Sequence, residues 1–144
     1  MKQLQNIYGT SVALEENGVL IVGLSGSGKS DLALRLIDSG ATLICDDQTI
    51  CKKVKSEIFL FAQKKICGLI EVRGLGLMKV PYIENIKLKM IVKLKEDVNE
   101  RFPLTNRKKR IFGISIPVIE ISSKEISAEA KIKLMLYEIN NCNE

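Results

Sequence analysis

The fold of this chain is decided by one stretch of its sequence, Val19-Leu20-Ile21-Val22-Gly23-Leu24-Ser25-Gly26-Ser27-Gly28-Lys29-Ser30. Four apolar residues run directly into a segment that matches G-x-x-x-x-G-K-[ST] at every fixed position, and a helical pattern follows from Ser30. Gly26 and Gly28 let successive backbone N–H groups converge on an anion, and the start of a helix adds the positive end of its dipole. The stretch therefore predicts a strand, a phosphate-binding loop and a helix.

The loop predicts a nucleoside triphosphate as the ligand. Lys29 is expected to contact the β- and γ-phosphates as a point charge, and the Ser30 hydroxyl is expected to bind Mg²⁺. ATP with Mg²⁺ is therefore the predicted cofactor pair, and phosphoryl transfer is the predicted chemistry. The residues predicted to surround the nucleotide are Gly23, Leu24, Ser25, Gly26, Ser27, Gly28, Lys29 and Ser30.

The patterns on both sides of the loop predict a β-rich α/β chain. Asn17-Gly18 between apolar runs indicates a hairpin turn, and Pro117 indicates an edge or a bulge in the last strand. The strand at 86–94 is expected to have one wet face. Helices are predicted after the loop, ending at Gly40, and from Ser127 onward. We predict one domain, 1–144, with strands at 10–14, 19–22, 42–45, 49–54, 57–62, 69–73, 86–94 and 114–121.

Composition excludes several classes of partner. The chain is 46% hydrophobic and 27% charged, as ordinary soluble domains are. Its net charge of +5 favours anionic ligands, but only 5% of residues are aromatic, so platforms for stacking nucleic-acid bases are not expected. No apolar run is long enough to span a membrane, and the start is not a signal peptide. We therefore predict no nucleic acid, no membrane and a cytoplasmic location.

The cysteine and histidine content limits the chemistry. The four cysteines lack metal-binding spacing, and we expect reduced thiols. The chain has no histidine, so proton transfer near neutral pH must fall to a carboxylate, a Lys, a Cys or a Tyr.

Two neighbouring carboxylates are the first candidates for that role. Asp46 and Asp47 follow the predicted strand 42–45, at the strand end where α/β sheets bind ligands. Adjacent carboxylates repel each other, so one is suited to accept a proton while the other supports a metal. A polar turn after a strand has the same composition. The residues alone leave both interpretations open.

Further charged residues are weaker candidates. Glu71 is suited to complete a Mg²⁺ shell and Arg73 to hold a phosphate, although their spacing alone favours an exposed ion pair. The cluster at 107–110 is typical of a solvated loop. Within it, Arg110 is a candidate for supporting phosphate charge.

The order of these motifs resembles the catalytic domain of HPr kinase/phosphorylase. The phosphate loop is followed by Asp46-Asp47 and then by Leu69-Ile70-Glu71-Val72-Arg73-Gly74-Leu75-Gly76, and the match is clearest over 18–81. The resemblance implies a fold related to phosphoenolpyruvate carboxykinase. It also implies a serine kinase, in this family also a phosphorylase, that acts on an HPr-like phosphocarrier of the phosphotransferase system. A short form without the N-terminal domain and assembly as hexamers are implied as well.

The resemblance also implies roles for individual residues. Asp46 is similar to the general base that takes the proton from the acceptor serine, and Asp47 to its supporting acid. Glu71 would be a metal ligand, with Arg73 beside it. Tyr8 stands where many relatives carry a His that supports the catalytic Asp, which bears most on the reverse, phosphate-releasing reaction. Two alternatives stay open, a small-molecule P-loop kinase and a non-catalytic ATP-binding regulator.

Overall fold

Eleven strands and two α-helices are found in residues 3–96 and 107–141, the part of the chain that the structure, a computed structural model, describes. No helix in these ranges is long and apolar enough to cross a membrane. A 3₁₀ turn covers Lys64–Ile66. The helices are α1 Lys29–Asp38 and α2 Ala128–Asn141, and the strands are β1 Leu4–Tyr8, β2 Thr10–Leu14, β3 Asn17–Val22, β4 Thr42–Cys45, β5 Gln48–Val54, β6 Glu57–Phe61, β7 Leu69–Val72, β8 Gly76–Lys79, β9 Ile86–Lys95, β10 Lys108–Ile111 and β11 Ile114–Ser122.

Nine of these strands form one mixed sheet in the order β1-β5-β6-β9-β3-β2-β4, with β11 also paired to β9 and β10 paired to β11. β3 and β11 run parallel to β9, whereas β2 runs antiparallel to β3 and β4. β7 and β8 form a separate two-stranded hairpin. The predicted α/β fold with a β-rich sheet is thereby confirmed.

The central strands are buried on both faces. The helices α1 and α2 pack on one face, where Leu32, Leu36 and Ile132 join a core with side chains of β2, β3 and β9. A second core lies on the other face, where β5 and β6 cover the middle of the sheet. Burial on both faces explains why β3 has a continuous apolar run instead of alternation.

A bulge in β9 corrects the prediction of one wet face. Gly18 of β3 is opposite Leu88, but Val19 is opposite Met90, so Lys89 is an extra residue in β9. An extra residue moves the following side chains to the other face of the strand. Leu88 and Ile91 therefore lie in the same core, while Met90 lies in the other. The prediction was wrong because both faces of β9 contact a core.

The first hairpin forms as predicted, but its turn is two residues earlier. The turn consists of Glu15 and Glu16, while Asn17 and Gly18 are already paired within β3. Asn17 instead donates from its side chain to the Leu14 carbonyl at 3.0 Å. Gly18 is required because a neighbouring strand lies too close for a side chain: a Cβ there would be 2.6 Å from the Lys87 carbonyl oxygen. The glycine reflects close strand packing and not a turn.

Three residues of the basic cluster at 107–110, Lys108 to Arg110, are solvent-exposed as predicted but lie in a strand and not in a loop. Lys108 to Ile111 form β10, which pairs antiparallel with the first half of β11. Pro117 is the last β11 residue in that ladder, and the parallel ladder with β9 begins at Val118. A proline lacks the N–H that a ladder needs, so its place at a change of partner agrees with the prediction of an edge or a bulge.

The buried cysteines lead to a prediction about thiol reactivity. Cys45, Cys51 and Cys67 are free thiols. Burial raises the pKa of Cys51 to about 12, and burial, with a smaller contribution from the Asp46 carboxylate, raises the pKa of Cys45. Because the thiolate is the reactive form, native protein at pH 7.5 should react with iodoacetamide at Cys45 and Cys51 at least ~10-fold more slowly than unfolded protein. Peptide mass spectrometry measures this, and equal labelling of native and unfolded protein would contradict it.

Candidate phosphate-binding site

The phosphate loop lies between β3 and α1, as predicted. Gly26 and Gly28 have φ of 80° and 101°, in the left-handed region that favours glycine. Gly28 caps α1, and its carbonyl accepts the Leu32 N–H at 2.9 Å. A Cβ at Gly28 would also lie 2.8 Å from the Ser123 Cβ, so a side chain is excluded there on two grounds.

Lys29 lies across its own loop. Its Nζ donates to the carbonyl oxygens of Gly23 at 3.0 Å and Leu24 at 3.2 Å. Both acceptors are neutral, and an ammonium makes a stronger, charge-assisted hydrogen bond to a phosphate oxygen. Two carbonyl oxygens of the loop therefore hold the Lys29 ammonium against the loop.

The carboxylate of Asp46 connects the parts of the site. It follows β4 and is 7% exposed. Its Oδ1 accepts hydrogen bonds from the Ser30 hydroxyl at 2.7 Å and the Thr10 hydroxyl at 2.8 Å, and its Oδ2 accepts the Glu71 N–H at 3.0 Å. One buried side chain thus joins the elements β2, β4, α1 and β7. Thr10 was missed by sequence reasoning, because a threonine at the start of a strand carries no functional signal.

Asp47 differs sharply from its neighbour. It is exposed, and its φ of 68° is in the left-handed region, a conformation that costs roughly 1–2 kcal/mol and that Asp tolerates better than most residues. Two backbone contacts hold it there: its N–H donates to Thr10 Oγ1 at 3.2 Å, and its carbonyl accepts the Gly9 N–H at 2.8 Å. The backbone of Asp47 is fixed while its carboxylate faces solvent.

The remaining candidate residues differ in how directly they are connected to Asp46 and the phosphate loop. Glu71 is exposed on β7, directly beside Asp46 through its N–H. Arg73 is exposed in the turn after β7, not on the strand itself. Tyr8 ends β1 opposite Gln48, adjacent to the glycine that bonds Asp47, and is 73% exposed. Arg110 lies in the β10–β11 hairpin, and no hydrogen bond or ion pair found among the described residues connects it to the loop.

The segment between β11 and α2, which contains Ser123, also borders the phosphate loop. Arg35 of α1 donates from Nη2 to the Ser123 carbonyl at 2.6 Å and from Nη1 to Glu129 at 3.3 Å. Because Ser123 packs against Gly28, these contacts hold the segment that follows β11 against the phosphate loop. Sequence reasoning assigned no role to Arg35, whose place in an ordinary amphipathic helix gave no signal.

The side-chain oxygens at this site suit a Mg²⁺ ion that takes most of its ligands from phosphates and water. Among residues 3–96 and 107–141, no group of three or more His, Cys, Asp or Glu is placed to hold a metal. Mg²⁺ in kinases typically takes one or two protein oxygens and completes its shell with phosphates and water. The Ser30 hydroxyl, which donates to Asp46, and the exposed side chain of Glu71, whose backbone N–H donates to the same carboxylate, are the candidate protein ligands of this kind.

Ser27 supports a prediction about stability. Its Oγ is buried without a hydrogen-bond partner in the described part of the chain. A buried unsatisfied hydroxyl costs about 1–3 kcal/mol, so Ser27→Ala is expected to raise the free energy of unfolding by about 1 kcal/mol. Thermal unfolding measures this, with Ser25→Ala as the exposed control. A loss of stability in Ser27→Ala alone would show that the hydroxyl is satisfied.

Comparisons with known proteins, by sequence and by structure, find HPr kinases in each case. A family model described as the HPr Serine kinase C-terminal domain matches residues 1–136. The HPr kinase/phosphorylase of Malacoplasma penetrans is 30% identical over 100% of this chain and 54% of its own length, and that of Mycoplasmopsis pulmonis is 32% identical over 93% and 49%. The chain thus spans about half the length of these relatives. The structure of the Hpr(Ser) kinase/phosphatase from Coxiella burnetii has the same fold, with a TM-score of 0.80, 24% identity and coverage of 95% of this chain and 99% of that one.

Proposed function

We propose that this chain, which belongs to the HPr serine kinase C-terminal domain family, transfers the γ-phosphoryl group of ATP to a serine hydroxyl of an HPr-like phosphocarrier. The observation that carries the proposal is the pair Asp46 and Asp47. One carboxylate is hydrogen-bonded to the phosphate-loop serine, and the next is exposed beside it. Such a pair supplies both support for the nucleotide and a free base for an incoming hydroxyl. The reaction belongs in the cytoplasm, where ATP is available.

The loop and two oxygen ligands hold the nucleotide in this proposal. Backbone N–H groups from 23–30 and the Lys29 ammonium bind the phosphate oxygens. Ser30 and Glu71 hold Mg²⁺, which supplies positive charge to the phosphates when bound. Arg73, in the turn beyond Glu71, is available to a phosphate or to the partner. We assign no contact with the nucleotide to Arg110, since none of its observed interactions leads toward the loop.

The two aspartates exchange the roles that the resemblance implied. The Asp46 carboxylate is buried and accepts three hydrogen bonds, which occupy both of its oxygens. It therefore orients Ser30. The side chain of Asp47 has no hydrogen bond or ion pair among the described residues and is exposed, so it can approach the acceptor hydroxyl. We assign proton acceptance to Asp47 and support of the metal ligand to Asp46.

The test is transfer of labelled γ-phosphate from ATP with Mg²⁺ to the HPr-like phosphocarrier of the same organism. We expect label on a serine, and no label when that serine is replaced by alanine. Label on a small molecule in a metabolite mixture without protein acceptor would overturn the proposal in favour of a small-molecule kinase. ATP binding without any transfer would overturn it in favour of a nucleotide-binding regulator.

A further inference from the structure

Arg35 connects the helix that follows the phosphate loop to the turn at 123–127 that precedes α2. Its side chain is 27% exposed and lies about two helical turns beyond the loop. Nη2 donates to the Ser123 carbonyl at 2.6 Å, and Nη1 donates to the Glu129 carboxylate at 3.3 Å. In the described part of the chain, no other hydrogen bond or ion pair joins α1 to this turn.

The same turn is in contact with the phosphate loop. A Cβ placed at Gly28 would lie 2.8 Å from the Ser123 Cβ and 2.9 Å from its Oγ, so the Ser123 side chain occupies the space beside that glycine. Gly28 directly precedes α1, and the absence of a Cβ gives its backbone more freedom than another residue would have. Lys29 and Ser30 follow it, so a shift of Gly28 would displace both side chains expected to bind phosphates and Mg²⁺.

We propose that Arg35 is a positioning residue for the nucleotide: through Ser123 it holds Gly28, and with it the loop, in the conformation that binds phosphate. A loop that is already held in this conformation loses less freedom when the ligand arrives. A loop that adopts it only part of the time binds correspondingly more weakly. Arg35 therefore acts on nucleotide affinity and not on the transfer step. It has this role only if the loop binds a nucleotide, as in the proposed function, whatever the phosphoryl acceptor is.

An arginine suits this place better than another cation. Its planar guanidinium presents several donors in fixed directions, so one group can bond a carbonyl and a carboxylate at the same time. The two acceptors belong to different elements, the turn that contains Ser123 and the helix that contains Glu129. Arg35 also pairs with Asp31 at 3.4 Å, but that carboxylate is 69% exposed, and exposed ion pairs contribute little. The bond to the Ser123 carbonyl is therefore the contact that reaches the loop.

Arg35→Met tests the effect on affinity. Methionine keeps an unbranched side chain but donates no hydrogen bond, so the turn loses its bond to α1. We expect the Kd of a fluorescent ATP analogue with Mg²⁺, and the KM for ATP in the transfer assay, to rise about 3- to 30-fold. Turnover at saturating ATP should stay within about two-fold, because the bound loop has the same conformation. A role in folding alone would lower the fraction of protein that binds and leave the Kd of that fraction unchanged. Asp31→Asn, which removes only the exposed ion pair, is the matched control.

Two substitutions at Ser123 test the route from Arg35 to the loop. Ser123→Ala keeps the Cβ that borders Gly28 and should bind the analogue as the wild type does. Ser123→Gly removes that Cβ and should weaken binding about as much as Arg35→Met does. Because both changes interrupt the same contact, the double variant should bind no more than about two-fold more weakly than either single variant. Fully additive losses would show that Arg35 acts by another route and would overturn the proposal.

Magnesium tripolyphosphate separates the loop from the rest of the nucleotide site, because it carries the phosphate chain without base or ribose. Arg35→Met should weaken displacement of the analogue by tripolyphosphate and by ATP to the same extent. If only ATP is weakened, the turn contacts the base or ribose and the proposal is overturned. It is equally overturned if Arg35→Met binds ATP as tightly as the wild type does. ATP binding without transfer would contradict the proposed function alone, since the Kd values still decide the role of Arg35.

Discussion

Asp47→Asn is expected to slow transfer to a serine hydroxyl by about 100- to 10,000-fold, the usual contribution of a general base. The amide cannot accept the hydroxyl proton, but it keeps the size of the side chain and tolerates the left-handed backbone at this position. Nucleotide affinity should stay within about two-fold, because Asp47 makes no side-chain contact with the loop. Single-turnover transfer and titration with a fluorescent ATP analogue measure the two quantities separately.

The same change at Asp46 should have a different signature. In Asp46→Asn the three charge-assisted hydrogen bonds are lost. With the amide NH2 toward Glu71 it opposes the Glu71 N–H, and with the NH2 on the other side the hydroxyls of Ser30 and Thr10 must turn to accept instead of donate. We expect a loss of about 2–4 kcal/mol in stability and weaker Mg²⁺–nucleotide binding. Asp38→Asn, at an exposed position in α1, is the matched control. If Asp46→Asn remains stable and binds ATP while Asp47→Asn transfers normally, our assignment of the two roles is wrong.

Lys29→Met should also lower the transfer rate, by about 100- to 1,000-fold. The loop at 23–30 has one charged side chain, the Lys29 ammonium, which its own carbonyls hold against the loop. In the proposed reaction this ammonium stabilises the charge on the phosphates, and charge stabilisation of this kind typically contributes that much. Methionine fills similar space without charge. Lys29→Arg should not restore the rate, since a planar guanidinium cannot replace a compact point charge in a closed loop.

The measurement for Lys29→Met is the same transfer assay at saturating ATP. Lys65→Met, at an exposed position in the 3₁₀ turn, removes an equal charge away from the site and controls for net charge. A variant Lys29→Met with wild-type turnover would mean that the loop binds a ligand without taking part in the reaction.

Local patterns predicted most elements of this fold. The loop between β3 and α1 depends on a short contiguous motif, and the strands β2, β4, β5 and β6 follow from nearby residues, so each could be predicted without tertiary information. The hairpin turn was misplaced because a tight turn and a close approach of another strand both favour glycine, and at Gly18 the reason is the close approach of Lys87. The bulge at Lys89 could not be predicted either, since it depends on the register with a strand distant in sequence.

Sequence reasoning named most residues of the candidate site, but not the hydrogen bonds that connect them. Asp46 and Asp47 were candidates from their position at a strand end, and Glu71 was a candidate as an oxygen ligand for Mg²⁺. The hydrogen bonds that distinguish the two aspartates come from Thr10 and Ser30. Those contacts span 36 and 16 residues of chain, beyond the range of any local pattern. The contact of Arg35 with Ser123 spans 88 residues and was invisible for the same reason.

The backbone amide of Glu71 donates to the Asp46 carboxylate, so its rate of hydrogen exchange reports on the state of the whole site. Its hydrogen exchange with solvent requires that β7 separate from the aspartate to which β2 and α1 are also tied. Its protection factor therefore measures how often the site opens, apart from how often the sheet unfolds. A ligand that engages Ser30 should slow this exchange, so occupancy of the loop can be read at a residue that need not touch the nucleotide.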